Sequence, residues 1–457
     1  MQLKNMYKVL ATTAILGQTL VGPVTSHAET VPSNTETYSQ QQNSHENTLE
    51  NASFINFAAD VEKDFKDHPK EAKEWIEREL KEQEKKMSSS DTQALQDFMK
   101  KDNKEITEYL IKNKGGLVDK NPLNSKIEKL DTIFEKKATK IDTSTKVYMK
   151  LSNMKIEDAA KVKDTILPRY DYTSTSPTNV TGSDAIVELT VPKGSRVVYG
   201  KTNDSGELII ERGTGFLVTD VKEVTDKGVV RTKIEAKLLS NKEMKERESK
   251  LNEVSKSLSD TMKMPVSLEF SNAETATSIE EAKTDITEAN KALEDINKIV
   301  PTLNMSELFK KLVNKGVHII LQDSTILTED KHGKEDYADG LYAYENKEII
   351  VNLKRPTENA INQNALLHEL GHAIDFEFFE SKIEEDPKLK DIIDDEELAI
   401  FKLINIDYNL PLKKYYSQPM EYWAGVFSLF MTDNEKLKKL APETYKYIEE
   451  KLKEVHL

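Results

Sequence analysis

The 457-residue chain contains no cysteine. That absence excludes disulfide staples, thiolate zinc clusters and a cysteine nucleophile, and it leaves histidine and carboxylate as the metal ligands on offer. Positive charge is also in short supply. With 65 basic against 80 acidic residues the formal charge is −15, a field that opposes sequence-independent capture of nucleic acid, which needs concentrated Lys and Arg. No internal repeat of fixed period is present, and beyond the N-terminus no apolar run is long enough to span a bilayer. What remains is 37% hydrophobic and 32% charged residues in periodic segments, the texture of a folded, helix-rich and soluble protein. Its length predicts two or three domains.

Lys4 and Lys8 precede an apolar stretch from Val9 to Val24, and Ser26-His27-Ala28 then offers the small residues that a signal peptidase reads. Thr12, Thr13, Gln18 and Thr19 interrupt the stretch and argue against a membrane anchor. Residues 1–28 are expected to be a signal peptide. Its removal deletes two lysines and no acid, so the mature, secreted chain is more negative still. Residues 29–52 are polar and aperiodic, the pattern of a disordered leader.

From Phe54 to about Lys137 apolar residues recur at helical spacing (Phe57, Val61, Phe65, Trp75, Leu80, Leu95, Phe98, Ile106, Leu110), which predicts a helical bundle. Short alternating runs follow at 146–149, 185–191, 196–199, 207–210, 215–218 and 232–239, separated by Gly, Pro, Asn and Asp turns, and are expected to form one compact sheet. Helical texture returns from Ser240 to about Val313. Val317–Leu321 and Glu348–Asn352 then read as strands before a final helical third. Helices followed by strands in each half predict two α+β domains with a boundary near Ser240.

The sharpest local signal is His368-Glu369-Leu370-Gly371-His372, an H-E-x-x-H match. At 100° per residue the second imidazole lies about 40° and the carboxylate about 100° from the first, so all three share one face of a helix. Leu366, Leu367, Leu370, Ala373 and Ile374 occupy the opposite face, at about 140° to 260°, and would pin the helix in a core. Random order would yield about 0.014 such matches in a chain with this histidine content. Two neutral imidazoles one turn apart suit Zn²⁺, with Glu369 as general base for the attacking water and amide hydrolysis as the reaction.

A metzincin pattern would need Gly and His where Asp375 and Phe378 stand, so the third ligand must be a later carboxylate. Glu377, Glu380 and Glu384 lie too close to fold back over the metal. Ser417-Gln418-Pro419-Met420-Glu421 opens an apolar helix with a capping Ser, a Pro suited to the first turn and Glu421 in that turn. Glu421 is therefore the expected third ligand, although acids favour helix N-termini without any metal. Asp375 either orients a ligating imidazole from behind or is simply solvated.

Ala365 to Asp375, taken with Tyr415-Tyr416-Ser417-Gln418-Pro419-Met420-Glu421-Tyr422-Trp423-Ala424, resembles the catalytic domain of anthrax lethal factor and the lethal-factor-like zinc peptidases over roughly residues 242–457. The resemblance implies zinc held by His368, His372 and Glu421, Glu369 as base, and a Tyr shortly before Glu421 as donor to the tetrahedral oxyanion. The family's Tyr stands slightly further upstream than Tyr415 or Tyr416; Tyr415 is preferred, and ordinary packing is the other role open to both. The strand expected over Gly340–Asn352 is a possible edge for an extended peptide, or else an interior strand.

Lys146-Val147-Tyr148-Met149, Ser174-Thr175-Ser176 and Ser205-Gly206-Glu207 resemble the ADP-ribosyltransferase fold of clostridial and bacillary binary toxins over about residues 56–239. In active members an Arg on the first strand grips NAD and two acids two residues apart position the acceptor. This chain has Met149 at the Arg position and Ser205 at the first acid, keeping Glu207; Met cannot make the bidentate phosphate contact. The resemblance therefore implies an inactive domain, with residues 53–240 docking a translocation or pore-forming partner and residues 241–457 forming the lethal-factor-like zinc metallopeptidase domain. The expected product is a secreted toxin or virulence factor that cuts a protein or peptide substrate and is delivered into target cells. The alternative is an NAD-dependent mono-ADP-ribosyltransferase.

Overall fold

The computed structural model describes residues 62–151, 156–180, 185–200, 206–226, 228–273, 275–300, 303–324, 326–329, 335–353, 364–406 and 410–456. The expected signal peptide, the leader, the start of the helical run at Phe54–Val61 and Ser205 lie outside the described residues. Two compact units are present, one ending at Glu248 and the other beginning at Ser249, and each is α+β.

In the first unit, helices α1 (Pro69–Glu84), α2 (Ser89–Asp97), α3 (Asn103–Lys112) and α4 (Asn124–Lys136) precede the strands; a π-helical turn over Phe98–Asp102 joins α2 to α3. Pro69 sits in the first turn of α1, where its missing N–H costs nothing. A capping box starts α2: Ser88 accepts from the Asp91 N–H, Asp91 accepts from the Ser88 N–H, and Lys129 reaches Asp91 from α4 at 2.5 Å. The side-chain amide of Gln83, buried, donates to Tyr199 O at 3.0 Å and accepts from Tyr199 N at 2.8 Å, extending the ladder of the adjoining strand into α1. Leu95, Phe98, Ile106, Leu110, Ile127, Leu130 and Phe134 close the helical core around Tyr172.

The strands are β1 (Thr139–Lys140), β2 (Thr145–Leu151), β3 (Ile166–Arg169), β4 (Thr173–Thr175), β5 (Ala185–Val191), β6 (Arg196–Gly200), β7 (Glu207–Ile210), β8 (Thr214–Asp226) and β9 (Val229–Leu239), with a short helix α5 (Ile156–Ala160) between β2 and β3. They do not form the one sheet expected. They form a five-stranded sheet ordered β2-β5-β9-β8-β3 and a four-stranded sheet ordered β1-β6-β7-β4. Consecutive strands part company: β5 pairs with β2 and β9, whereas β6, only a turn later, pairs with β1 and β7. Alternation in sequence specifies the face of a strand and carries no information about its neighbour. A bridge between Tyr148 on β2 and Ser176 just after β4 ties the sheets together.

Helix α6 (Asn241–Met262) carries the chain into the second unit, where β10 (Val266–Glu269), α7 (Ala276–Ile299), α8 (Met305–Asn314) and β11 (His318–Gln322) follow. A hairpin of β12 (Ile326–Glu329) and β13 (Glu335–Ala338) leads to β14 (Gly340–Ala343) and β15 (Glu348–Asn352). The sheet runs β10-β11-β15-β14, parallel except for the antiparallel edge strand β14. The stretch 340–352, expected as a single strand, is thus a hairpin. Lys347 adopts a left-handed φ of 59° and the Asn346 N–H donates to Ala343 O, which turns the chain between its halves. The short β10 also interrupts a stretch expected to be helical throughout.

Helices α9 (Ala365–Phe379), α10 (Pro387–Leu403), α11 (Leu410–Tyr416), α12 (Pro419–Thr432), α13 (Asn434–Leu440) and α14 (Pro442–His456) complete the unit. All ten residues from Leu366 to Asp375 and all eleven from Glu421 to Met431 are buried, so α9 and α12 are core helices on every side.

Candidate metal centre

Asn364 caps α9 by accepting from the Leu367 N–H at 3.1 Å, and Glu380, in the left-handed region at φ 55°, ends it. In between, α9 crosses α12 at close quarters. A Cβ on Gly371 would lie 2.9 Å from the Ala424 Cα, so only glycine allows the two backbones this approach. The buried Trp423 Nε1 donates to Gly371 O at 2.8 Å and locks the crossing. One turn before Ala424 stands Glu421, and the crossing carries it to the imidazoles.

His368 Nε2 lies 3.2 Å and His372 Nε2 3.4 Å from Glu421 Oε2. The three residues are 7%, 7% and 2% exposed, and their donor atoms all lie within 4.8 Å of one another. Donors at roughly 2.0–2.1 Å from a tetrahedral ion would be about 3.3 Å apart, the spacing that Glu421 Oε2 keeps from each imidazole nitrogen, so the donor set suits zinc. Electrostatics agree with the geometry. Burial alone would make His372 neutral, but Glu421 overrides it and lifts the imidazole to about 9. Burial likewise opposes ionisation of Glu421, and the two imidazoles hold its carboxyl well below the usual carboxylate range. The ionised Glu421 thus favours positive charge at the point where the side chains converge.

Glu369 is buried beside them. Its pKa is raised by that burial, against the pull of both imidazoles. Its carboxylate rests on the edge strand β14, directly over Gly340. Tyr415 stands near Glu421, and burial first, then the charge of Glu421, push its phenol well above the ordinary value. Tyr416 instead presents its ring edge-on to His368, with centroids 6.0 Å apart. The two tyrosines stand edge-on to each other at 5.1 Å.

The remaining sequence candidates resolve as follows. Glu377 is engaged by Tyr342 Oη at 2.9 Å and Lys347 Nζ at 3.1 Å, and Glu380 is paired with Lys382 at the surface. Asp375 is fully buried, not solvated; burial lifts its carboxyl to about 6, Oδ1 accepts from the Ile383 N–H at 3.3 Å and Oδ2 has no partner. His372 Nδ1, also buried, has none either, so Asp375 does not bond the imidazole directly. Ser417 is not the cap of α12. That position belongs to Gln418, and the Ser417 hydroxyl donates to Lys413 O and Glu397. Pro419 does occupy the first turn of α12 with Glu421. Sequence reasoning missed Gly340 and the Gly371–Ala424 contact; an unexplained glycine inside a strand and another inside a helix were the available signals.

In the first unit, β4 pairs with β7 and brings Ser174 to Glu207, whose Oε2 accepts from the Ser174 hydroxyl at 2.7 Å. The Thr175 hydroxyl donates to Leu208 O at 3.0 Å, a strand-to-strand tie. Met149 is partly buried on β2, opposite Val187.

Fold and site define a two-domain α+β protein whose second unit carries a buried His-His-Glu cluster. Residues 72–241 match the ADP-ribosyltransferase exoenzyme family and residues 250–451 match the family described as anthrax toxin lethal factor, N- and C-terminal domain, so the chain carries one such domain after the other. Among solved structures, Plx2a, an ADP-ribosyltransferase toxin from Paenibacillus larvae, is 23% identical, covering 39% of this chain and 100% of its own at a TM-score of 0.35. The Clostridium limosum C3 exoenzyme is 20% identical over 39% of this chain and 98% of its own, with a TM-score of 0.35. The ADP-ribosylating toxin BECa, from a binary enterotoxin of C. perfringens, is 17% identical over 51% of this chain and 60% of its own, with a TM-score of 0.37. No curated protein matches the chain.

Proposed function

We propose that the chain is a secreted zinc endopeptidase of the lethal-factor type, a toxin or virulence factor whose second domain hydrolyses peptide bonds. The observation that carries this reading is the convergence of His368, His372 and Glu421 with Glu369 alongside. Among the described residues the cluster supplies three ligands and an acid, where a structural zinc would be closed by four. A zinc ion held there supplies Lewis acidity, polarising a scissile carbonyl and acidifying water.

The chain's own groups do the rest. Glu369, too far round its helix to join the ligand set, takes the proton from the attacking water at its carboxylate and passes it to the leaving amine. Its raised pKa suits a group that must both accept and return a proton. Tyr415, beside Glu421, donates its phenolic hydrogen to the oxyanion as negative charge develops there. Burial of His368, Glu369, His372 and Glu421 excludes bulk water from the cluster and strengthens each interaction there.

Residues 53–240 serve in this reading as a docking domain for a translocation partner, the transferase pocket having lost its cation at Met149. The test is cleavage of a peptide library by the mature protein beside Glu369→Gln. The wild type should cut and the variant should lose at least 10²-fold in kcat; equal rates, or cleavage indifferent to chelator, would refute the assignment.

A second reading, mono-ADP-ribosyltransfer, is favoured by one contact, the 2.7 Å hydrogen bond that keeps Glu207 on Ser174. It predicts NAD hydrolysis that is insensitive to chelator and lost in Glu207→Gln.

A further inference from the structure

Gly340 has no backbone reason to be glycine. It lies in β14, paired with Val351, and is absent from the residues with positive φ. Glycine inside a strand costs conformational entropy and offers no side chain to pack, so its presence there points to a close approach. The approaching group is Glu369. A Cβ built on Gly340 would stand 2.5 Å from Glu369 Oε1, 2.6 Å from its Cγ and 2.9 Å from its Cδ. Two residues along the strand, the backbone of Tyr342 also lies next to this carboxylate. The Tyr342 ring then continues along α9, its hydroxyl on Glu377 and its ring 5.8 Å from Phe376, while Tyr344 stacks on Phe376 at 5.3 Å. β14 is therefore fastened to α9 beyond the carboxylate as well as at it.

We infer that Gly340 is a positioning residue for Glu369: the bare backbone at Gly340 forms a seat on the edge strand that fixes the carboxylate beside the three-residue cluster. The inference rests on the peptidase reading for its functional half. Its structural half stands on the contact alone. Adding one methyl group would force the carboxylate to retreat by about 1 Å to reach an ordinary contact. Glu369 is buried, so it has no solvent to retreat into. A displacement of that size in a reacting group lowers rate by up to about 10²-fold while leaving substrate affinity in place.

The experiment uses the full-length mature protein. Gly340→Ala should lower kcat about 10- to 100-fold with KM within twofold of wild type and with zinc content unchanged. A thermal double-mutant cycle on the metal-free protein separates misfolding from repositioning: Gly340→Ala should lower Tm when Glu369 is present and lower it by less than half as much in a Glu369→Ala background, where the colliding atoms are gone. Equal Tm losses in both backgrounds would overturn the seat. A wild-type kcat in Gly340→Ala would overturn the positioning role even if the cycle showed coupling. If the wild-type chain cuts no peptide, the peptidase reading fails and the functional half goes with it, an outcome distinct from a wild type that cuts and a variant that cuts equally well.

Discussion

The closeness of α9 and α12 predicts the consequence of one added methyl group. In Gly371→Ala the new Cβ would meet the Ala424 Cα at 2.9 Å, the Phe427 Cβ at 3.3 Å and the Ala424 Cβ at 3.4 Å. The first of these is backbone and cannot rotate aside, so the helices must part by about 0.5 Å to restore an ordinary contact. Ala in place of Gly favours the helix by about 1 kcal/mol. Against that, overpacking a close-packed core costs about 1–3 kcal/mol, and the Trp423 to Gly371 hydrogen bond, worth about 1 kcal/mol, is stretched. The balance is a net loss of up to about 3 kcal/mol, with a fall of about 2–4 °C in Tm for each kcal/mol in a unit of this size. The same displacement moves Glu421, one turn from Ala424, away from both imidazoles, and zinc affinity should fall about tenfold, roughly 1.4 kcal/mol. Thermal melts of the metal-free protein and competition with a chelator measure the two effects separately. A Gly371→Ala protein as stable as wild type, binding zinc equally well, would show that the helix crossing does not set the site.

Glu421→Gln should lose stoichiometric zinc after gel filtration while keeping the wild-type circular dichroism spectrum; retention of a full equivalent by elemental analysis would remove Glu421 from the ligand set. Tyr415→Phe should reduce kcat by about 10²–10³ with little change in KM, and if Tyr416→Phe has that effect instead, the donor has been assigned to the wrong neighbour. In the first unit, Ser88→Ala should cost about 1 kcal/mol in urea denaturation through loss of the α2 cap. Asp91, held down to about 2 by its hydrogen bond to Lys129 and then by Ser88, is depressed below its unfolded value of roughly 3.9. Its contribution is therefore complete above about pH 4 and lost as the pH falls through about 2. The stability difference between wild type and Asp91→Asn should accordingly shrink over that window, and a difference that is constant with pH would disprove the linkage.

Local periodicity determined a good deal by itself. The 100° step put His368, Glu369 and His372 on one side of α9 and five apolar residues on the other, because helix geometry depends on nothing beyond the helix. Alternation likewise located β5, β7 and β15 to the residue, since a strand's two faces are written every second position. The identity of each strand's neighbour was not written there. β5 and β6 are separated by a few turn residues yet belong to different sheets, and 340–352, one run of β-compatible residues, folds back on itself at Lys347.

The distance from His368 to Glu421 was likewise decided elsewhere. The two residues are 53 positions apart in the chain, and they meet because Gly371 and Ala424 let two buried helices approach more closely than any side chain would permit. The seat of Glu369 on Gly340 arises in the same way. A sequence records which atoms each residue brings and which way its own backbone turns them. Contacts between remote residues depend on the packing of whole elements, and that is settled only when the apolar faces have found their partners and the chain between them has closed.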